Sequence, residues 1–319
     1  MTTRCLMLSG GVGGAKLALG CARLLGDKEL TIVANVGDDF WHLGLRICPD
    51  LDTLMYTLSG RVNTDSGWGR ADEGWRFLEC LAELGGPDWF RLGDRDLATH
   101  VLRSQRLRAG EPLSRITADF CRRLGTGQRL LPASDDPVAT RVHGNGELLD
   151  FQDYFVRLRA KPAVSAIDYA GAENAQPAPG LLATLADRQL EAIVIAPSNP
   201  WLSIAPILAI PGIRQALRDS PAPVIAVSPI VAGRALKGPT AKIMAELGLE
   251  ASATAIARYY RDLLDGFILD AADGSLAGEL QAGGLPVRES NTIMNTLDDK
   301  RRLAAECLEF AAELRAGRR

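Results

Sequence analysis

Leu6-Met-Leu-Ser-Gly-Gly-Val-Gly-Gly-Ala-Lys16 runs from an apolar strand through four glycines in five positions straight into helix-forming residues. A strand, a glycine turn and a helix in immediate succession open a βαβ unit. Glycines let the backbone turn tightly and leave its N–H groups facing outward without Cβ interference, while the helix N-terminus adds a partial positive charge. The turn therefore reads as a phosphate cradle, with Gly11, Gly13, Gly14 and Lys16 as its candidate contacts. Lys16 is expected in the first turn of the helix. Leu17 follows it where a P-loop has Ser or Thr, and the glycines do not give the dinucleotide pattern G-x-G-x-x-G. The competing reading is a glycine turn that only packs strand against helix.

The same alternation recurs along the chain. Short apolar runs at 5–9, 31–35, 192–196, 224–227 and 267–270 are each followed by a small-residue or proline turn and a helical pattern. Their order predicts a Rossmann-like α/β fold, a mostly parallel sheet with helices on both faces, and ligands beyond the carboxyl ends of the strands. Between them the character changes. Helical patterns over 71–84, 94–108 and 113–124 precede a hairpin, 138–142 turning through 143–146 into 147–151. Residues 61–160 thus read as a largely helical insertion with a hairpin, and 1–60 with 161–319 as the core. A long amphipathic helix is expected over 297–314.

A net charge of −3 over 319 residues provides no footprint for nucleic acid or an anionic membrane surface, so neither is expected as a partner. No apolar run approaches the roughly 18 residues that span a bilayer, and the N-terminus shows no export signal, which makes the cytoplasm the expected compartment. Cys5, Cys21, Cys48, Cys80, Cys121 and Cys307 are scattered without a C-x-x-C pair and read as reduced core residues. A homodimer is the default assembly.

Two acidic clusters follow the second strand, Asn35-Val-Gly-Asp-Asp39 and Cys48-Pro-Asp-Leu-Asp-Thr53. Asp38, Asp39, Asp50 and Asp52 so close together repel unless a cation or a proton compensates, and hard oxygen ligands beside a phosphate turn suit Mg²⁺. The plainer alternatives are that Asp50 caps a helix, that Asp52 complements its dipole, or that Asp38 or Asp39 binds a ribose hydroxyl. Ala196-Pro-Ser-Asn-Pro200 places the Ser198 hydroxyl and the Asn199 amide at the mouth of the sheet, unless Asn199 merely caps the next helix. Lys237, beside Gly238, is a further potential phosphate contact. His42 lies between the acidic clusters and could face a ligand, whereas His100 and His143 receive no chemical role. No triad declares a nucleophile.

Taken in order, Leu8-Ser-Gly-Gly-Val-Gly-Gly-Ala-Lys16, Asn35-Val-Gly-Asp-Asp-Phe40, Pro49-Asp-Leu-Asp-Thr53, Leu92-Gly-Asp-Arg-Asp-Leu-Ala-Thr-His100, Ser198-Asn-Pro200, Ser228-Pro-Ile-Val231 and Lys237-Gly-Pro239 resemble the 2-phospho-L-lactate transferases of coenzyme F-420 biosynthesis. The resemblance implies transfer of a phospholactyl group, or its phosphoenolpyruvyl or phosphoglyceryl counterpart, from a guanosine-diphosphate-linked donor to the terminal ribityl hydroxyl of the deazaflavin Fo. GMP leaves and Mg²⁺ is required. It further implies that Asp38 and Asp50 bind the metal and that Ser198 and Asn199 contact Fo or the transferred phosphate. Asp39 or Asp52 remains as a carboxylate that could accept the hydroxyl proton. The family's Thr-x-Thr-Leu-Met run reads Ser290-Asn-Thr-Ile-Met294 here, and no role is assigned there. The alternative from another class is a non-catalytic regulator that binds a nucleotide-sugar. A nicotinamide-dependent oxidoreductase is disfavoured by the glycine spacing.

Overall fold

The computed structural model describes residues 4–317. Its central sheet has seven strands in the spatial order Val287–Ser290, Gly266–Asp270, Val224–Val227, Leu190–Ile195, Arg4–Ser9, Leu30–Ala34, Arg129–Pro132. Every pairing between neighbours is parallel. Numbered along the chain the order is 7-6-5-4-1-2-3, so the direction of winding reverses between Arg4–Ser9 and Leu190–Ile195. Such a reversal opens a crevice at the carboxyl ends of the two strands, where doubly wound sheets hold ligands. The fold is the expected Rossmann-like α/β sheet.

The inner strands are legible because both their faces are covered: Val224–Val227 and Gly266–Asp270 are buried throughout, as is Arg4–Ser9 beyond its first residue. One contiguous core joins these strands to the helices Gly11–Ala22, Pro49–Leu58 and Leu297–Gly317. The last of these opens with a capping box, Thr296 Oγ1 accepting from the Asp299 N–H at 3.1 Å and Asp299 Oδ2 accepting from the Thr296 N–H at 2.7 Å. Among the described residues no helix is long and apolar enough to cross a membrane. Five of the six cysteines are buried and all are free; Cys80 is exposed, unlike the core position expected for it.

Residues 61–160 depart from a simple insertion. Arg129–Pro132 is the edge strand of the main sheet beside Leu30–Ala34, and its terminal proline is tolerable because an edge has no further neighbour to donate to. The hairpin Ala139–Gly144 and Glu147–Asp150 turns through Asn145 and Gly146, both at positive φ (53° and 84°) as a two-residue hairpin turn requires. Val164–Ala170, beyond the expected boundary, completes its sheet. Asp94–Arg108 and Leu113–Leu124 form as expected. The helix expected over 71–84 is confined to Arg76–Glu83. Its N-terminus is fixed from outside: the Asp94 carboxylate accepts from the N–H groups of Arg76 and Phe77, while Glu73 accepts from those of Arg95 and Asp96. These reciprocal caps hold 73–75 out of helical register.

Candidate active site

A cavity of about 740 Å³ opens at the sheet reversal and is bordered by the glycine turn, the acidic segments and the turn after Leu190–Ile195. Gly10 is the N-cap of Gly11–Ala22, so the glycines form the first helical turn itself. Lys16 consequently lies in the second turn, not the first, and its Nζ donates to the Met294 carbonyl at 2.8 Å. Burial and the charges of Lys237 and Lys300 lower its pKa. Gly11 has φ +63°, which a side chain avoids, and a Cβ on Gly13 would come within 2.5 Å of the Pro197 carbonyl oxygen. Gly14 is buried against the hydroxyls of Ser9 and Ser198 and does not border the cavity. Gly13→Ala is therefore expected to destabilise the fold by about 1–3 kcal/mol as Pro197 is pushed away. Urea unfolding measures this; an unchanged midpoint would leave Gly13 with a ligand role alone.

Asp50 organises the turn. Cys48 is the N-cap of Pro49–Leu58, so Asp50 is not a cap; it sits inside the first turn with both carboxylate oxygens engaged. Oδ1 accepts from the Gly11 N–H at 2.6 Å and Oδ2 from Asn35 Nδ2 at 3.0 Å. Asp38 Oδ1, by contrast, is buried with no hydrogen-bond partner. Burial first, and the neighbouring Asp50 charge second, push the Asp38 carboxyl well above the usual range; burial raises Asp50 too, against the Asn35 and Gly11 hydrogen bonds. Two adjacent buried carboxylates, one of them with an unpartnered oxygen, form a hard-oxygen donor set that a divalent cation would satisfy, since each oxygen keeps a spare lone pair. The Gly11 N–H is already spent on Asp50, but those of Val12 and Gly13 belong to a helical turn without intrahelical acceptors and can meet a phosphate.

The other two aspartates are placed differently. Asp39 points away from the cavity into the protein, 3.6 Å from Arg46, where burial outweighs that charge and raises its carboxyl to about 7. Asp52 reaches the wall, but Arg103 grips both its oxygens, Nη1 donating to Oδ2 at 3.0 Å and Nη2 to Oδ1. Asp39, both of whose oxygens lack a hydrogen-bond partner, does not border the cavity, and Asp52 is committed to Arg103. Ser198 and Asn199 border the cavity with their polar atoms committed: Ser198 Oγ donates to the Gly10 carbonyl at 2.7 Å and accepts from the Gly10 N–H at 3.2 Å. Asn199 is the helix cap that its turn permitted, accepting from the N–H groups of Trp201 and Leu202 and donating to Thr240 Oγ1 at 3.0 Å. Lys237 Nζ donates to the Ser66 carbonyl at 2.9 Å, tying the 63–69 loop across the mouth above Val12.

The histidines exchange places with their expected parts. His42 is packed edge-on against Trp89 at 5.3 Å outside the cavity lining, whereas His100 borders the cavity within the helix Asp94–Arg108. His100 Nε2 lies 3.3 Å from Asp96 Oδ2, and Tyr56 donates to Asp96 Oδ1 at 2.5 Å. Trp68, Trp89, Phe90, Phe151 and Phe155 supply apolar lining to the same cavity. Phe151 and Phe155 stack at 5.3 Å and Trp89 meets Phe90 edge-on at 5.7 Å. The i, i+4 spacing of Phe151 and Phe155 was the available signal for that lining; Trp89 and Phe90 lie in a loop whose sequence carries none.

The sequence profile of the 2-phospho-L-lactate transferase CofD family matches residues 5–307. The chain belongs to that family. Among CofD-like relatives, a phosphoenolpyruvate transferase of Streptomyces griseus subsp. griseus is 44% identical over 98% of this chain and 100% of its own length. The phosphoenolpyruvate transferase of Mycolicibacterium smegmatis is likewise 44% identical, over 88% of this chain and 92% of its own. A UPF0052-family protein from Bacillus halodurans superposes with a TM-score of 0.62 over 97% of this chain and 99% of its own at 15% identity, a likeness of fold. Membership in the CofD family makes the chain a transferase.

Proposed function

We propose that this CofD-family transferase moves a phosphoenolpyruvyl group, as the names of its relatives suggest, or its lactyl or glyceryl counterpart, from a guanosine-diphosphate-linked donor to the ribityl hydroxyl of Fo in coenzyme F-420 biosynthesis. The observation that carries this reading is the buried Asp38, one of its oxygens unpartnered, beside Asp50 in a cavity that aromatic side chains also line. A charged diphosphate suits the first feature and a flat deazaflavin ring the second.

The donor diphosphate would lie along the Val12 and Gly13 N–H groups with Lys16 behind it. Asp38 and Asp50 would hold Mg²⁺, which when bound neutralises diphosphate charge and so favours displacement. The Fo hydroxyl oxygen bonds to the phosphorus that carries the three-carbon acid, the bond from that phosphorus to GMP breaks, and the hydroxyl proton is released. A loose phosphoryl transition state asks for positioning and charge balance rather than a strong base, in keeping with Asp39 lying outside the cavity lining and Asp52 being held by Arg103. The loop 63–69 with Trp68 is suited to keep out the water that would compete with Fo.

Purified protein supplied with Fo and each of the three donors should release GMP and form a phosphodiester with at least one of them, and excess chelator should abolish it. Undiminished GMP release in chelator removes the metal role. No Fo-dependent product with any donor would favour a binding protein without catalysis.

A further inference from the structure

Four lysines and arginines border the cavity: Lys16, Arg91, Arg159 and Lys237. Three have partners within the protein, Lys16 on the Met294 carbonyl, Lys237 on the Ser66 carbonyl, and Arg91 with its guanidinium 4.0 Å from the centre of the Trp75 ring. The Arg159 side chain has no hydrogen bond, ion pair or aromatic ring among the described residues. It is a planar, permanently charged donor fork left open at the edge of the site.

Its setting is unusual in two further ways. Phe151, Gln152, Phe155, Val156 and Arg159 border the cavity at helical spacing, and the Asp153–Arg157 part of that segment is wound as a π-helix, a form often found at functional sites. The segment ends by reversing through Arg159 and Ala160 at φ 53° and 50°, the one adjacent pair of non-glycine residues in the left-handed region among the described residues. Side chains avoid that conformation, and where it persists it commonly serves a site. At its other end Gln152 Nε2 donates to the backbone carbonyl of Asp38 at 3.0 Å, which fixes the whole face relative to the acidic pair.

We infer that Arg159 binds the carboxylate of the three-carbon acid carried by the donor. The inference rests on the transferase reading above. Each candidate donor presents two kinds of anion, a diphosphate and a carboxylate. The diphosphate has its partners at the glycine turn, and a planar carboxylate calls for a planar bidentate donor without a competing acid. Arg159 therefore selects donors that carry the acid over GDP itself, a discrimination that the glycine turn cannot make.

Calorimetric titration of the full-length protein with three probes tests this: GDP, the lactyl adduct of guanosine diphosphate, and the same adduct with its carboxylate converted to a carboxamide. Wild type is expected to bind the carboxylate adduct about 10- to 100-fold more tightly than the carboxamide. Arg159→Asn removes the fork while keeping a residue that tolerates the left-handed conformation, and is expected to bind both adducts equally and GDP as wild type does. Arg159→Lys keeps the stem and charge without the fork, so its ratio should fall between the two. An unchanged ratio in Arg159→Asn, or its loss in Arg91→Ala instead, overturns the assignment to Arg159 and leaves the transferase reading standing. Failure of wild type to bind any of the three guanosine diphosphates overturns both.

Discussion

Asp38→Asn is expected to slow GMP release about a thousandfold, the scale of several kcal/mol of lost charge stabilisation, while leaving the metal-free protein at least as stable as wild type. The stability half follows from the geometry: Asp38 Oδ1 has no protein partner, so removing the charge breaks no hydrogen bond at that oxygen and relieves repulsion from Asp50. The gain depends on pH with a definite sign. The folded carboxyl holds its proton to higher pH than the unfolded one, so wild type without metal loses stability as pH rises above the ordinary aspartate range of about 4. The advantage of Asp38→Asn should therefore be largest at alkaline pH and vanish in acid. Asp50→Asn should behave differently. Its amide can still accept from the Gly11 N–H but then turns an NH₂ toward Asn35 Nδ2, a donor facing a donor, with about 1–3 kcal/mol lost. Calorimetric melts over a pH series, paired with GMP release, read both effects; a near-native rate in Asp38→Asn would remove it from the metal site.

Arg103→Met is expected to lower unfolding free energy by about 3–5 kcal/mol, a large share of a typical stability of about 5–15 kcal/mol. Arg103 is 2% exposed and is the counter-charge of Asp52, itself 5% exposed, between the helices Pro49–Leu58 and Asp94–Arg108. Truncating the arginine strands the Asp52 carboxylate in the interior. The paired change Asp52→Leu with Arg103→Met leaves no orphaned charge and should recover most of the loss, because two well-packed apolar side chains often replace a buried ion pair without penalty. Denaturant unfolding of the single and double variants gives the coupling directly. Equal destabilisation in both would mean that packing, not charge, holds the two helices together.

What could be read from the residues divides along physical lines. The inner strands announced themselves through continuous apolar runs, since both faces of a parallel sheet are covered. Its two edges did not: Arg129–Pro132 has four residues and ends in proline, and Val287–Ser290 carries Arg288 and Glu289, the shortness and charge by which edges avoid pairing with strangers. In the site, the acidic clusters were visible but not their division of labour. Asp38 and Asp39 are neighbours on a turn and cannot both face one cavity, and Asp50 and Asp52, two apart on a helix, project in different directions. Asp39 is set beside Arg46 outside the cavity lining, and Asp52, which reaches the wall, is held by Arg103 from 51 residues away. The same distance hid His100, which read as an ordinary helical residue until the helix was docked.

The double hydrogen bond between Ser198 and Gly10 joins residues 188 positions apart. At a synthesis rate of about 5–20 residues per second, the glycine turn leaves the ribosome roughly 10–40 s before the hydroxyl that seats it exists. During that interval Asp50 and Asn35 are already present to hold the Gly11 side of the turn, but its other side has no neighbour. The nascent chain therefore carries half a cradle until Ser198 has been made.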